Sequence, residues 1–142
     1  MKSILILTIL VIASSCAKKV IGVKEFCKSD FKESLPAKLD LSGGIAFKNH
    51  MGELLVDSSK CLPSLVGFLQ QSTVKKIEVV VYHTFGSERF YKEGMLKSGN
   101  LKKYLVSNGI DASKISFSTF LDKKSSYKYE SIYRKVEVLL KY

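Results

Sequence analysis

Residues 104–116 read Tyr104-Leu105-Val106-Ser107-Asn108-Gly109-Ile110-Asp111-Ala112-Ser113-Lys114-Ile115-Ser116, a helix that stops followed by a strand that starts. Leu101, Tyr104 and Leu105 recur at helical spacing. Gly109 is the residue type that ends helices in the left-handed conformation, and Ile110 is the apolar residue that folds back on the last turn. Ile115 and Phe117 then alternate with Ser116 and Ser118, the pattern of a half-buried strand.

Working outward, the run Ile77 to His83 is rich in β-branched residues and predicts a strand. Thr84 to Ser87 make a loop, and Ser87 is placed to cap a helix from Glu88 to Asn108. Gly94 and Gly99 each weaken that helix by about 1 kcal/mol relative to alanine, which points to close backbone packing or to a break near residue 99. Upstream, Leu41, Gly43, Ile45 and Phe47 alternate with Ser42, Gly44 and Ala46, predicting a first strand that ends near Phe47. Asp57, Ser58 and Ser59 offer N-caps for a helix bearing Leu62, Leu65, Val66 and Leu69, with Pro63 tolerated in its first turn. A strand over Lys114 to Phe120, a polar loop containing Asp122 to Ser126 and a strand over Arg134 to Leu140 complete the chain. The order β-α-β-α-β-β predicts an α+β domain, a mixed sheet with the long helices packed on one face.

The 142 residues suit one domain plus a leader, and 46% apolar residues suffice for a core. Lys2, the apolar stretch Ile4 to Ala13 and the small residues Ala13, Ser14 and Ser15 describe an export signal. The apolar stretch is about half the ~20 residues of a membrane-spanning helix. With Cys16 next, residues 1–15 resemble a bacterial lipoprotein signal, although Ala13 stands where that pattern prefers leucine. Such a signal implies a lipidated Cys16 and anchoring by two or three acyl chains; an ordinary cleaved signal is the alternative. Residues 16–38 are then expected to be the lipidated cysteine and a lysine-rich tether, and residues 39–142 the domain. Removing residues 1–15 takes away Lys2 and no acid, lowering the net charge from +10 to +9. That balance favours anionic partners, cell-wall carboxylates and lipid headgroups rather than nucleic acid once the chain is exported. Cys27 and Cys61 are expected to form a disulfide outside the cytoplasm, with two buried thiols as the alternative.

The strand Val79–Thr84, the long helix Tyr91–Ile110, the helix-to-strand passage 104–116 and the ending Arg134-Lys135-Val136-Glu137-Val138 together resemble the OmpA-like domain. That family is the periplasmic peptidoglycan-binding module of many outer-membrane proteins and lipoproteins. The resemblance covers roughly residues 39–140, with Phe47 at the end of the family's first strand. It implies that an aspartate after the strand's threonine and an arginine in the long helix hold the diaminopimelate of a peptide stem. A carboxylate pairs with the ligand's ammonium, and a guanidinium grips its carboxylate. In this sequence the aspartate position is Phe85, and the arginine position falls on Lys97, or on Ser98 with a one-residue gap. On this reading Glu88 is a replacement carboxylate with Arg89 or Lys97 supplying the cation, the alternative being that Glu88 only complements the positive end of the helix. Arg134 borders the same cleft or covers the sheet edge. The family's Gly-x-Gly after the third strand is replaced by Ser118-Thr119-Phe120.

No nucleophile elbow, phosphate-cradling glycine loop or His-Glu-x-x-His helix is present, so no enzyme, cofactor or metal is expected. His83 at a strand end reads as a hydrogen-bonded structural residue, and Tyr127, Tyr129 and Tyr133 as one face of a strand. Two functions follow. One is an outer-membrane lipoprotein whose domain binds peptidoglycan non-covalently from the periplasmic side, with the candidate residues Phe85, Glu88, Lys97 and Arg134. The other is a degenerate module that kept the fold, lost the ligand and serves as an interaction subunit with envelope protein partners.

Overall fold

The computed structural model describes residues 20–27, 35–48, 52–83, 86–122 and 135–142. Among them are strands β1 (Val20–Gly22), β2 (Lys38–Asp40), β3 (Lys76–Val81), β4 (Ile115–Ser118) and β5 (Val136–Lys141). Helices α1 (Val23–Phe26), α2 (Leu62–Gln71) and α3 (Glu88–Ser107) lie between them. The sheet order is β1-β2-β5-β3-β4. β1 is parallel to β2 and β3 to β4, while β5 runs antiparallel to both β2 and β3. The sheet is therefore mixed and the fold α+β, with β5 inserted between β2 and β3 as its centre. From β2 onward the order is the expected β-α-β-α-β-β.

Side-chain alternation sorts the two faces of the sheet. Ile77, Val79 and Val81 of β3, Val136, Val138 and Leu140 of β5 and Leu39 of β2 join Leu62, Leu65 and Leu69 of α2 in one core. Leu101 and Leu105 of α3 enter the same core from one helical stripe. The other face mixes Val80, which is buried, with polar groups: Lys38 pairs with Glu137 at 2.8 Å, and Tyr82 donates to Glu137 at 2.8 Å. Burial and that carboxylate together raise the Tyr82 hydroxyl well above its ordinary pKa.

The passage that stops α3 behaves as its residues dictate. Gly109 adopts φ +88°, its N–H donates to Val106 O at 3.0 Å, and Ile110 N–H donates to Leu105 O at 3.1 Å. This pair of bonds is a Schellman closure, with Ile110 and Leu105 both in the core. A short 3-10 turn, Ala112–Lys114, leads into β4. Asp111 starts it by accepting from Ser113 N at 2.9 Å and Ser113 Oγ at 2.8 Å, bonds that hold its carboxyl below the usual range.

Three expectations are corrected. The first is the strand to Phe47: β2 ends at Asp40, and Phe47 makes only an isolated bridge to Leu54. Asp40 Oδ1 accepts from Ser42 N at 3.2 Å and Ser42 Oγ at 2.6 Å, and Gly43 turns at φ +82°; this local turn competes with the strand ladder. The second concerns the caps of α2. Cys61 is its N-cap, while Ser59 Oγ accepts from Ala46 N at 2.9 Å and donates to Leu55 O at 2.7 Å, tying two loops together.

The third correction concerns the tether. Residues 20–27 are packed: Ile21 and Phe26 are fully buried, and the Phe26 ring meets Phe68 edge-on at 5.7 Å. Cys27 is bonded to Cys61, which tethers α1 to the start of α2. Gly44 lies against this bridge, where a Cβ would overlap Cys61 Sγ. The sheet thus begins at Val20, well before residue 39. Among the described residues no helix is long and apolar enough to cross a membrane.

Candidate ligand site

The end of β3 is where the sequence places its candidate residues. β3 leaves the sheet at Val81, and the chain continues through Tyr82 and His83. There His83 N–H donates to Phe120 O at 2.9 Å and Asp122 N–H donates to His83 O at 2.8 Å. These bonds extend the β3–β4 pairing by one parallel bridge, His83 to Leu121. They bring Asp122, a nearly buried carboxylate, beside the strand end from which the following loop departs.

His83 is held on its other side by Thr119. The Thr119 hydroxyl donates its single proton to Val81 O, so its oxygen receives the His83 Nδ1 proton across 3.0 Å. Neutral His83 therefore carries its proton on Nδ1 and leaves Nε2 as an acceptor. The Tyr91 ring stands edge-on to the imidazole at 6.0 Å. Burial lowers the His83 pKa. The unfolded chain then takes up a proton near pH ~6.5, at which the folded one does not, so stability falls as pH drops below that value. A His83→Gln variant should lose this component, read as a smaller shift of the urea midpoint between neutral and mildly acidic buffer.

Helix α3 reaches the same region because Gly94 has no side chain: a Cβ there would overlap Thr119 Oγ1. Thr119 is fixed by its own bonds to Val81 and His83 and cannot swing away. Gly94→Ala is therefore expected to destabilise the domain by about 1–3 kcal/mol through overpacking, despite the better helix propensity of alanine. Urea unfolding measures the balance. The close packing expected at the helix glycines is present, and α3 runs unbroken past Gly99, which lies against the Phe117 ring.

The candidate residues do not all converge. Lys97 sits on the buried face of α3, only 2% exposed, one turn beyond Gly94. The next residue, Ser98, is also buried and donates back to Gly94 O at 3.0 Å. Glu88 points the other way, 80% exposed and paired with Lys92 at 2.9 Å. The step of nine residues from Glu88 to Lys97 leaves the two about 180° apart around an α-helix, so the side chains leave opposite faces. Glu88 thus acts as an acid in the positive first turn of α3 and is not a partner of Lys97. Phe85 and Arg134 lie outside the described residues, as do Cys16 and the tyrosines 127, 129 and 133.

Asp122 and Thr119 are what sequence reading missed. Asp122 reads as the first residue of a polar loop, and only the bridge to His83 reveals its position. The glycine at position 94 was a signal of close approach, but not of what approaches. Elsewhere at this end of the sheet, Gly22, Val23, Lys24, Glu25, Asp40 and Ser42 line an open hollow of about 370 Å³. Among the described residues no group of three or more His, Cys, Asp or Glu side chains could hold a metal ion.

Comparison with solved structures settles the fold. The OmpA-like domain of FopA1 from Francisella tularensis superposes with a TM-score of 0.54 at 18% identity, covering 82% of this chain and 90% of that one. The chain has the OmpA-like fold. A putative MotB-like protein from Desulfovibrio vulgaris gives a TM-score of 0.59 at 16% identity, over 72% of this chain and 71% of that one. The periplasmic domain of Helicobacter pylori MotB gives 0.55 at 16% identity, over 72% and 70%. No protein-family model matches the sequence, and no curated protein matches it. In this OmpA-like fold, the candidate site lies at the carboxyl end of β3, where the strand hands over to the long helix.

Proposed function

We propose that this protein is a cell-envelope lipoprotein, anchored through Cys16 to the outer membrane. Its OmpA-like domain faces the periplasm and binds peptidoglycan non-covalently, tying membrane to wall. The role is capture without catalysis. The observation that carries this reading is Asp122. In the resembled family a carboxylate stands just after the strand that leads into the long helix, and this chain has Phe85 there. Asp122 supplies a carboxylate at the same strand end from a different segment, hydrogen-bonded to His83 O through its N–H. It is suited to the ammonium of a zwitterionic stem peptide, with Arg134 as the cationic counterpart for the peptide carboxylate.

Co-sedimentation with purified sacculi tests it. The protein should pellet at low salt and be released as ionic strength rises, because ion pairs at a rim are screened. Asp122→Ala should weaken retention by roughly tenfold or more, as loss of a charge-assisted hydrogen bond does. A second reading, a module that kept the fold and lost the ligand, is favoured by the outward Glu88 and the sealed Lys97. Indifference to sacculi at low salt, together with a stable protein partner in the envelope, would decide for it.

A further inference from the structure

The strand register gathers lysines at the opposite end of the sheet, where β1, β2, β3 and β4 begin. Lys76 stands directly across from Lys141 in the antiparallel β3–β5 pair, so both side chains leave the same face. Lys75 N–H donates to Lys141 O at 2.7 Å. Ile115 pairs with Ile77, which places Lys114 level with Lys76 on the next strand. All four lysines are exposed, and no ion pair of theirs is found among the described residues. Two acids lie nearby: Glu78, two residues along β3 from Lys76, accepts from Ser118 Oγ at 3.0 Å, and Asp111, close in sequence to Lys114, is already engaged by Ser113. Like charges directly opposite one another on a sheet are destabilising, so this arrangement works against the fold unless something anionic covers it.

Two further features share this end. Leu140 N–H donates to Ala37 O, and Tyr142 Oη donates to Pro36 O at 2.9 Å, which places residues 35–37 beside Lys141. Leu35 is 60% exposed and held at φ +57°, an uncommon conformation for a leucine. Val20, the first residue of β1, pairs with Lys38 and is also exposed. Only residues 17–19 separate Val20 from Cys16, a span of at most ~14 Å even when extended. Two of those residues are Lys18 and Lys19. The sheet is roughly 19 Å wide from β1 to β4 at ordinary strand spacing, so an anchor at Cys16 leaves this whole end within reach of the bilayer.

We propose that the end of the sheet bearing Lys75, Lys76, Lys114 and Lys141, with Leu35 and Tyr142, docks on an anionic lipid surface. Clustered lysines beside an exposed leucine and a half-buried tyrosine are suited to the charged headgroup region of a membrane. The proposal rests on the lipid anchor of the preceding section and adds an orientation to it. The domain stands on its lysine end, and the candidate site at His83 and Asp122 faces away from the membrane. β3 and its continuation to His83 separate the two by roughly 20–25 Å.

The test uses the whole protein extracted from membranes, with mass spectrometry reporting acylation at Cys16. It is reconstituted in phosphatidylcholine vesicles with or without phosphatidylglycerol, and its lysines are acetylated. Lys75, Lys76, Lys114 and Lys141 should react about fivefold more slowly or less on the anionic vesicles, the equivalent of ~1 kcal/mol per lysine. Lys60 and Lys92 should be unchanged, and high salt should abolish the protection. Equal rates on both vesicles with the acyl groups in place would overturn the docking and leave the anchor standing. Protection by sacculi and not by vesicles would overturn it in favour of wall contact at this end. If Cys16 carries no acyl group, the anchor reading fails separately. Salt-sensitive pelleting of the chain with the anionic vesicles would then support the docking surface, and none would overturn it.

Discussion

Reduction of the Cys27–Cys61 bond, or its removal by Cys27→Ser/Cys61→Ser, should lower the stability of the domain by about 3–4 kcal/mol. The bridge spans a sequence separation of 34 residues, and the chain-entropy model assigns a loop of that size this magnitude. The loss is a large fraction of the ~5–15 kcal/mol that holds a typical domain together. Its structural consequence is specific. The bridge ties α1, and with it the edge strand β1, to the start of α2, so its loss should free the N-terminal edge first. Amide exchange under reducing conditions should therefore accelerate most at residues 20–27, while β3 and β5, which open only with the whole domain, lose no more protection than the global loss of about 3–4 kcal/mol. Uniform loss of protection would show that the bridge acts on the unfolded chain alone.

Phe26→Ala should cost about 3–5 kcal/mol, the range for emptying a large aromatic site in a core. Phe26 is fully buried and packs edge-on against Phe68 of α2. A phenylalanine in a solvated tether would give nearly nothing, so urea denaturation of this one variant separates the two descriptions of residues 20–27. A loss below ~1 kcal/mol would place Phe26 outside the cooperative unit. Phe26 does not touch the bridge's role in chain entropy directly, but both act on α1. The combined variant should consequently lose less than the sum of the two.

Much of the fold was legible because its signals are local. Gly109 and Ile110 announce the end of α3, since a left-handed glycine followed by an apolar residue closes a helix wherever it occurs. The β-branched run Ile77–Val81 and the alternation in Val136–Leu140 mark strands for the same reason. What misled was also local. Val20-Ile21-Gly22 is three residues long, too short for any period to register, and becomes a strand only because β2 offers it a ladder. The alternation through Ile45 and Phe47 looks like a strand until the Asp40 side chain captures Ser42 and turns the chain.

The amino-acid order alone determined the succession of strands and helices and the glycine stops, because each depends on neighbours a few residues apart, and cysteine count with an export signal made Cys27 and Cys61 candidates for pairing. The tertiary structure alone decided that Glu88 and Lys97 leave opposite faces of one helix and that Asp122 returns to the end of β3. It likewise gathered four lysines from three separate segments at one end of the sheet. Side-chain direction and strand register are set by partners tens of residues away, and no local pattern records them.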